Sequence, residues 1–116
     1  MPVIQLHTSA PIDDEARITL KTAFGQAIAA VPGKSEQWLM CLFDDEVPMY
    51  FAGDDSKPCA YLEIDVYATS EVPATAWEKL TERLTPEVSD TLGIDPARIY
   101  IRYGSTAHFG WNGTNF

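Results

Sequence analysis

The chain has 116 residues, 46% of them hydrophobic and 22% charged, with 17 acidic and 8 basic side chains and a net charge of -9. That length supports one domain with a real core. The acidic balance excludes the basic footprint that nucleic acid or an anionic membrane surface needs as a partner.

Residues 2–7, Pro2-Val3-Ile4-Gln5-Leu6-His7, alternate apolar and polar and predict a half-buried strand. Pro2 follows the initiator directly, and a small residue there favours removal of Met1. Pro2 would then carry a free secondary amine, a group that titrates near pH ~8 and loses its proton more easily when buried. It reads either as a general base or as the start of an edge strand. Asp13, Asp14 and Glu15 open a helix, where carboxylates suit the dipole. Ile18, Leu20, Phe24, Ala27, Ile28 and Val31 continue it as an apolar stripe, and Pro32-Gly33 stops it. Residues 37–43 read as a strand apolar on both faces. Asp44-Asp45-Glu46 reads as a solvated turn rather than a seat for a hard cation, and Met49–Ala52 as a short following segment.

A third strand covers 59–67, with apolar residues alternating from Ala60 to Val66. Pro73 suits a first helical turn. Trp77, Leu80, Leu84, Val88 and Leu92 then recur at helical spacing until Gly93, and residues 98–103 form the last main strand. Pro86 is a misfit inside the second stripe: the helix kinks there, or Thr85-Pro86-Glu87 starts a fresh segment. Cys41 and Cys59 lie in different strands and read as small buried residues of a reducing compartment. His7 and His108 are isolated, so no metal site or cofactor is expected. Asn112-Gly-Thr114 matches a glycosylation acceptor by chance. No basic and apolar leader precedes the first strand, which points to a cytoplasmic protein, or one exported without a signal peptide.

The two halves repeat with a constant offset of 60: Ile4 and Ile64, Leu20 and Leu80, Phe24 and Leu84, Ile28 and Val88, Gly33 and Gly93, Cys41 and Ile101. The expected fold is therefore α/β of the α+β kind. Two β-α-β units, about 2–52 and 58–103, build a four-stranded mixed sheet with both helices on one face, and a short segment, 104–116, follows. The other sheet face is also rich in apolar residues and calls for a cover, for which self-assembly is the economical answer.

The leading Met-Pro, the Gly33-Lys34 turn, the Pro58-Cys59-Ala60 strand start, Arg98-Ile-Tyr-Ile101 and the Gly110-Trp111-Asn112 ending together resemble the macrophage migration inhibitory factor family of the tautomerase superfamily, including its dopachrome-tautomerase-like relatives. The resemblance spans nearly the whole chain. It implies a homotrimer whose sheets face a central channel, and a cofactor-independent keto–enol tautomerase of aryl α-keto acids such as phenylpyruvate, with Pro2 as base. It places Lys34 on the substrate carboxylate; read alone, Lys34 is a helix-end cation. Tyr100 would reach a neighbouring subunit's site, with a sheet-face aromatic as its plain alternative. Trp38, Trp111 and Phe116 would form an aromatic wall. Tyr67 replaces a small aliphatic residue and either narrows the pocket or adds a hydrogen bond. Arg102 stands where one branch has asparagine; it either grips a carboxylate or pairs with an acid across the trimer. Gly104–Ala107 reads as a shortened connection. Leu62 replaces the second cysteine of the family's C-A-L-C motif, so its thiol chemistry does not carry over. The alternatives are a cytokine-like protein acting on a protein receptor, and another superfamily reaction such as decarboxylation.

Overall fold

A computed structural model describes residues 1–116. Strand β1 (Pro2–Thr8) buries every second residue, as the alternation predicts. Helix α1 (Asp14–Ala27) begins where the Asp13 carboxylate accepts from the Ala16 N–H at 2.7 Å. Leu20, Phe24 and Ala27 form its buried face, and a single 3-10 turn prolongs it to Ala30. Ile18 departs from the expected stripe and is 61% exposed. Gly25 lies mid-helix beside the Glu36 side chain, whose carboxylate would have to swing aside for a Cβ there.

Strand β2 (Met40–Asp44) starts later than expected. Glu36–Trp38 instead form a 3-10 turn, closed by the Leu39 N–H donating to the Glu36 carbonyl. Strand β3 (Ala60–Tyr67) leads to helix α2 (Ala74–Leu92), which buries Ala76, Leu80, Leu84 and Val88. Pro86 lies exposed within this one continuous helix, so the expectation of a fresh helical segment does not hold. Gly93 takes the left-handed conformation that ends α2 (φ 68°) and donates to the Ser89 carbonyl. Strand β4 (Ile99–Thr106) runs past its expected end, and Gly104-Ser105-Thr106 continue its ladder instead of forming a connection. Strands β5 (Gly110–Trp111) and β6 (Thr114–Asn115) make a terminal hairpin.

The sheet order is β2-β1-β3-β4, with parallel outer pairs and an antiparallel centre, as expected for two β-α-β units. The central ladder sets Ile4 opposite Ile64, its own repeat counterpart. The outer ladders differ by two residues, since Ile4 faces Cys41 but Ile64 faces Tyr103. A slip of two preserves which face each side chain takes. One core of 20 buried residues fills the layer between sheet and helices.

The open sheet face differs from the apolar expectation. Val3, Met40 and Leu42 do lie there, but so do Gln5, His7, Asp44, Glu63, Asp65 and Arg102. His7 Nδ1 sits 3.1 Å from Asp44, and Arg102 3.6 Å from Glu63.

Candidate active site

The start of β1 and the end of β3 meet side by side. Pro2 is buried opposite Val66, and the Tyr67 N–H donates to the Met1 carbonyl at 2.9 Å. The chain start is thus pinned to the sheet rather than frayed.

Lys34 reaches the same spot from the other side of the first crossover. Gly33 supplies the left-handed residue of the turn (φ 77°), and the Lys34 N–H closes it on the Val31 carbonyl at 3.1 Å. The Lys34 ammonium donates to the Tyr67 carbonyl and lies 5.7 Å from the centre of the Tyr67 ring. Its charge therefore bridges to β3 instead of serving the carbonyls of its own helix. At the chain start, burial first, then the Lys34 charge and a hydrogen bond with Lys34, push the α-amino pKa below its ordinary 8.0.

An arc of aromatic rings borders these groups. Tyr67 meets Phe116 at 5.2 Å, Phe116 stacks on Trp111 at 6.1 Å, and Trp111 meets Trp38 edge-on at 5.3 Å. The terminal hairpin carries two members of the arc. Asn112 and Gly113 both have positive φ (52° and 81°), as a tight hairpin turn requires, so Asn112 serves the turn. The Phe116 N–H then ties back to the Phe109 carbonyl at 3.1 Å. Beside the arc, Met1, Pro2, Trp38, Phe109 and Trp111 line a cleft of about 490 Å³.

Six of the eight residues singled out from sequence thus converge: Pro2, Lys34, Trp38, Tyr67, Trp111 and Phe116. Tyr100 and Arg102 do not join them within one chain. Tyr100, 65% exposed, packs on Phe51 at 5.3 Å at the far end of the sheet, level with Tyr61 and His7. Within the chain, Arg102 lies 3.6 Å from Glu63. Met1 and Phe109 also line the cleft. No residue pattern announces Met1, whose part comes from a backbone hydrogen bond; the Asn112-Gly113 turn signal is what could have found Phe109.

Cys41 and Cys59 are both free. Burial, and secondarily Glu36, raise the Cys41 thiol pKa, which keeps it protonated and unreactive. No three His, Cys, Asp or Glu side chains cluster as metal ligands would, and no helix is long and apolar enough to cross a membrane. A half-buried amine beside a cation, with an aromatic arc and a cleft, is equipped to take a proton from carbon next to a carbonyl.

The family model described as "Macrophage migration inhibitory factor (MIF)" matches residues 1–116. The macrophage migration inhibitory factor of Meriones unguiculatus is 28% identical over 118 residues, covering all of this chain and 99% of that protein. The crystal structure of Leishmania major MIF2 superposes with a TM-score of 0.90 at 35% identity, over 100% of this chain and 97% of the other. That of the macrophage migration inhibitory factor homologue from Prochlorococcus marinus gives 0.79 at 26%, over 98% of each. The chain belongs to the macrophage migration inhibitory factor family.

Proposed function

We propose that this member of the macrophage migration inhibitory factor family is a cofactor-independent keto–enol tautomerase of aryl α-keto acids, with Pro2 as general base once Met1 has gone. Family membership supports a tautomerase or cytokine-like role. The observation that favours the enzyme is the partly buried chain start, where desolvation and the neighbouring Lys34 together lower an α-amino pKa. Removal of Met1 moves that amine to Pro2, deeper in the same surroundings.

In the proposed reaction the neutral Pro2 nitrogen takes a proton from the carbon next to the keto group. The electron pair moves onto the keto oxygen, which becomes the enolate. Lys34 holds the carboxylate and offsets the enolate charge. The Pro2 ammonium then returns the proton to that oxygen, giving the enol and restoring the base. The arc from Tyr67 to Trp38 faces the aryl group. Tyr100 lies too far along the sheet to serve its own chain's Pro2, which fits a trimer in which a neighbour supplies it.

Intact-mass analysis of the N-terminus, paired with phenylpyruvate turnover by the processed protein and by Pro2→Gly, tests the proposal. Turnover should track the fraction lacking Met1, since Pro2 behind Met1 is an amide nitrogen with no basicity. Undiminished turnover by Pro2→Gly, or by protein that keeps Met1, would sink it. Absence of turnover by the processed wild-type protein, with a protein receptor bound equally by wild type and Pro2→Gly, would instead favour the cytokine-like role.

A further inference from the structure

We infer that Tyr67 aims Lys34 and selects aromatic over aliphatic carboxylates at this site. The inference rests on the tautomerase reading of the site, and adds to it which residue sets the substrate class. Tyr67 touches three parts of the site at once. Its N–H holds the Met1 carbonyl until processing removes that residue, its own carbonyl accepts from the Lys34 ammonium, and its ring lies 5.7 Å from that ammonium. The same ring meets Phe116, which stacks on Trp111.

An ammonium has three N–H donors. One is committed to the Tyr67 carbonyl. The ring attracts the cation through its quadrupole and narrows the directions left to the others. The remaining donor capacity then points in a fixed direction, at one carboxylate. Because the ring that restrains Lys34 also continues the aromatic arc, the anion seat and the aryl seat are set by one residue. A substrate with a carboxylate and a flat ring a few bonds apart satisfies both. An alkyl carboxylate of equal charge satisfies only the first. A leucine at this position would leave the carbonyl and its hydrogen bond to Lys34 in place, but it would take the ring away from the ammonium and deprive Phe116 of its ring partner.

The test uses processed protein and its Tyr67→Leu and Tyr67→Phe variants. Binding of 3-phenylpropanoate and of hexanoate, neither of which can react, is followed by tryptophan fluorescence and calorimetry, and phenylpyruvate turnover is measured in parallel. In Tyr67→Leu the preference for the aryl over the alkyl acid should fall roughly tenfold, with KM for phenylpyruvate rising similarly and kcat changing less than about threefold. Tyr67→Phe should keep the wild-type preference within about twofold, because the ring and not the hydroxyl acts. An unchanged preference in Tyr67→Leu, or an equal loss in Tyr67→Phe, overturns the inference while leaving the tautomerase intact. Tyr67-dependent aryl binding in a wild-type protein without turnover overturns the reaction but not the inference. Absence of binding by the wild type overturns both.

Discussion

Replacing Lys34 by methionine keeps the aliphatic stem and removes only the ammonium. Two separate losses follow. The first is the carboxylate contact. A hydrogen bond to a charged group contributes about 1.5–3 kcal/mol net, below a ceiling of about 4 kcal/mol for unit charges 4 Å apart near a protein surface. Lys34 is half-buried, so the net range applies, and it converts to a roughly 10- to 150-fold loss in kcat/KM. The second loss concerns the proton. In the chain that keeps Met1, the α-amino pKa lies below 8.0 chiefly through burial and secondarily through Lys34, and the Pro2 amine freed by processing lies in the same surroundings. Removing Lys34 leaves burial in place, so the pKa moves up toward 8.0 without reaching it. A base works only when deprotonated, so the acid limb of the kcat/KM profile should shift to higher pH. The variant therefore loses more on the acid side of neutrality than on the alkaline side. Phenylpyruvate turnover measured across both limbs separates the two effects, because only the first persists at high pH. A loss below about threefold throughout, or an acid limb that stays put, would refute the assignment of Lys34.

The remaining expectations concern the scaffold. Leu84→Ala empties a fully buried position on α2 and should cost about 2–5 kcal/mol in urea unfolding; a cost under about 1 kcal/mol would remove that face from the core. Pro86→Ala should stabilise the protein. Helix propensity favours alanine by about 3 kcal/mol, proline's stiffening of the unfolded chain returns up to about 1, and a Tm rise of several degrees by calorimetry follows; a lower Tm would mean the exposed ring packs on something. Asp13→Ala removes the α1 cap and should cost about 1 kcal/mol by the same urea measurement, and no change would make the cap dispensable.

The fold was legible because its periods are clean. Alternation located β1 and β3 to within a residue, and Leu20, Phe24, Leu80, Leu84 and Val88 marked the buried helix faces. What failed was the part of the pattern that tertiary structure overrides. Gln37 and Trp38 fit the strand pattern, yet a local turn claims them before β2 starts. Ile18 fits the helical stripe but overhangs the open edge of the sheet at β2, where no further layer meets it. The second sheet face does carry Val3, Met40, Leu42, Tyr61 and Tyr100, but Glu63 and Arg102 sit among them. In the site, sequence named the residue types but not the end of the sheet each would occupy. Tyr100 and Arg102 share a face with Tyr61 and Glu63, and strand direction alone sends them away from Pro2.

The repeat itself explains why chemistry gathers at one end. Because Ile4 pairs with Ile64, its own counterpart, an approximate two-fold axis passes through that pair and makes the two ends of the central ladder equivalent in backbone. Their side chains are not equivalent. The counterpart of Pro2 is Leu62, fully buried mid-sheet, where no chain start can exist. The counterpart of Lys34 is Ile94, which also follows a left-handed glycine and is 1% exposed. That turn therefore directs its next side chain inward, and an apolar residue there simply joins the core. Lys34 occupies the corresponding position only half-buried, and its ammonium donates to the Tyr67 carbonyl. A cation meant only to complement a helix end would gain nothing from that place. This lysine makes sense where something anionic is to be met beside it, and of the two equivalent ends only this one also holds the amine.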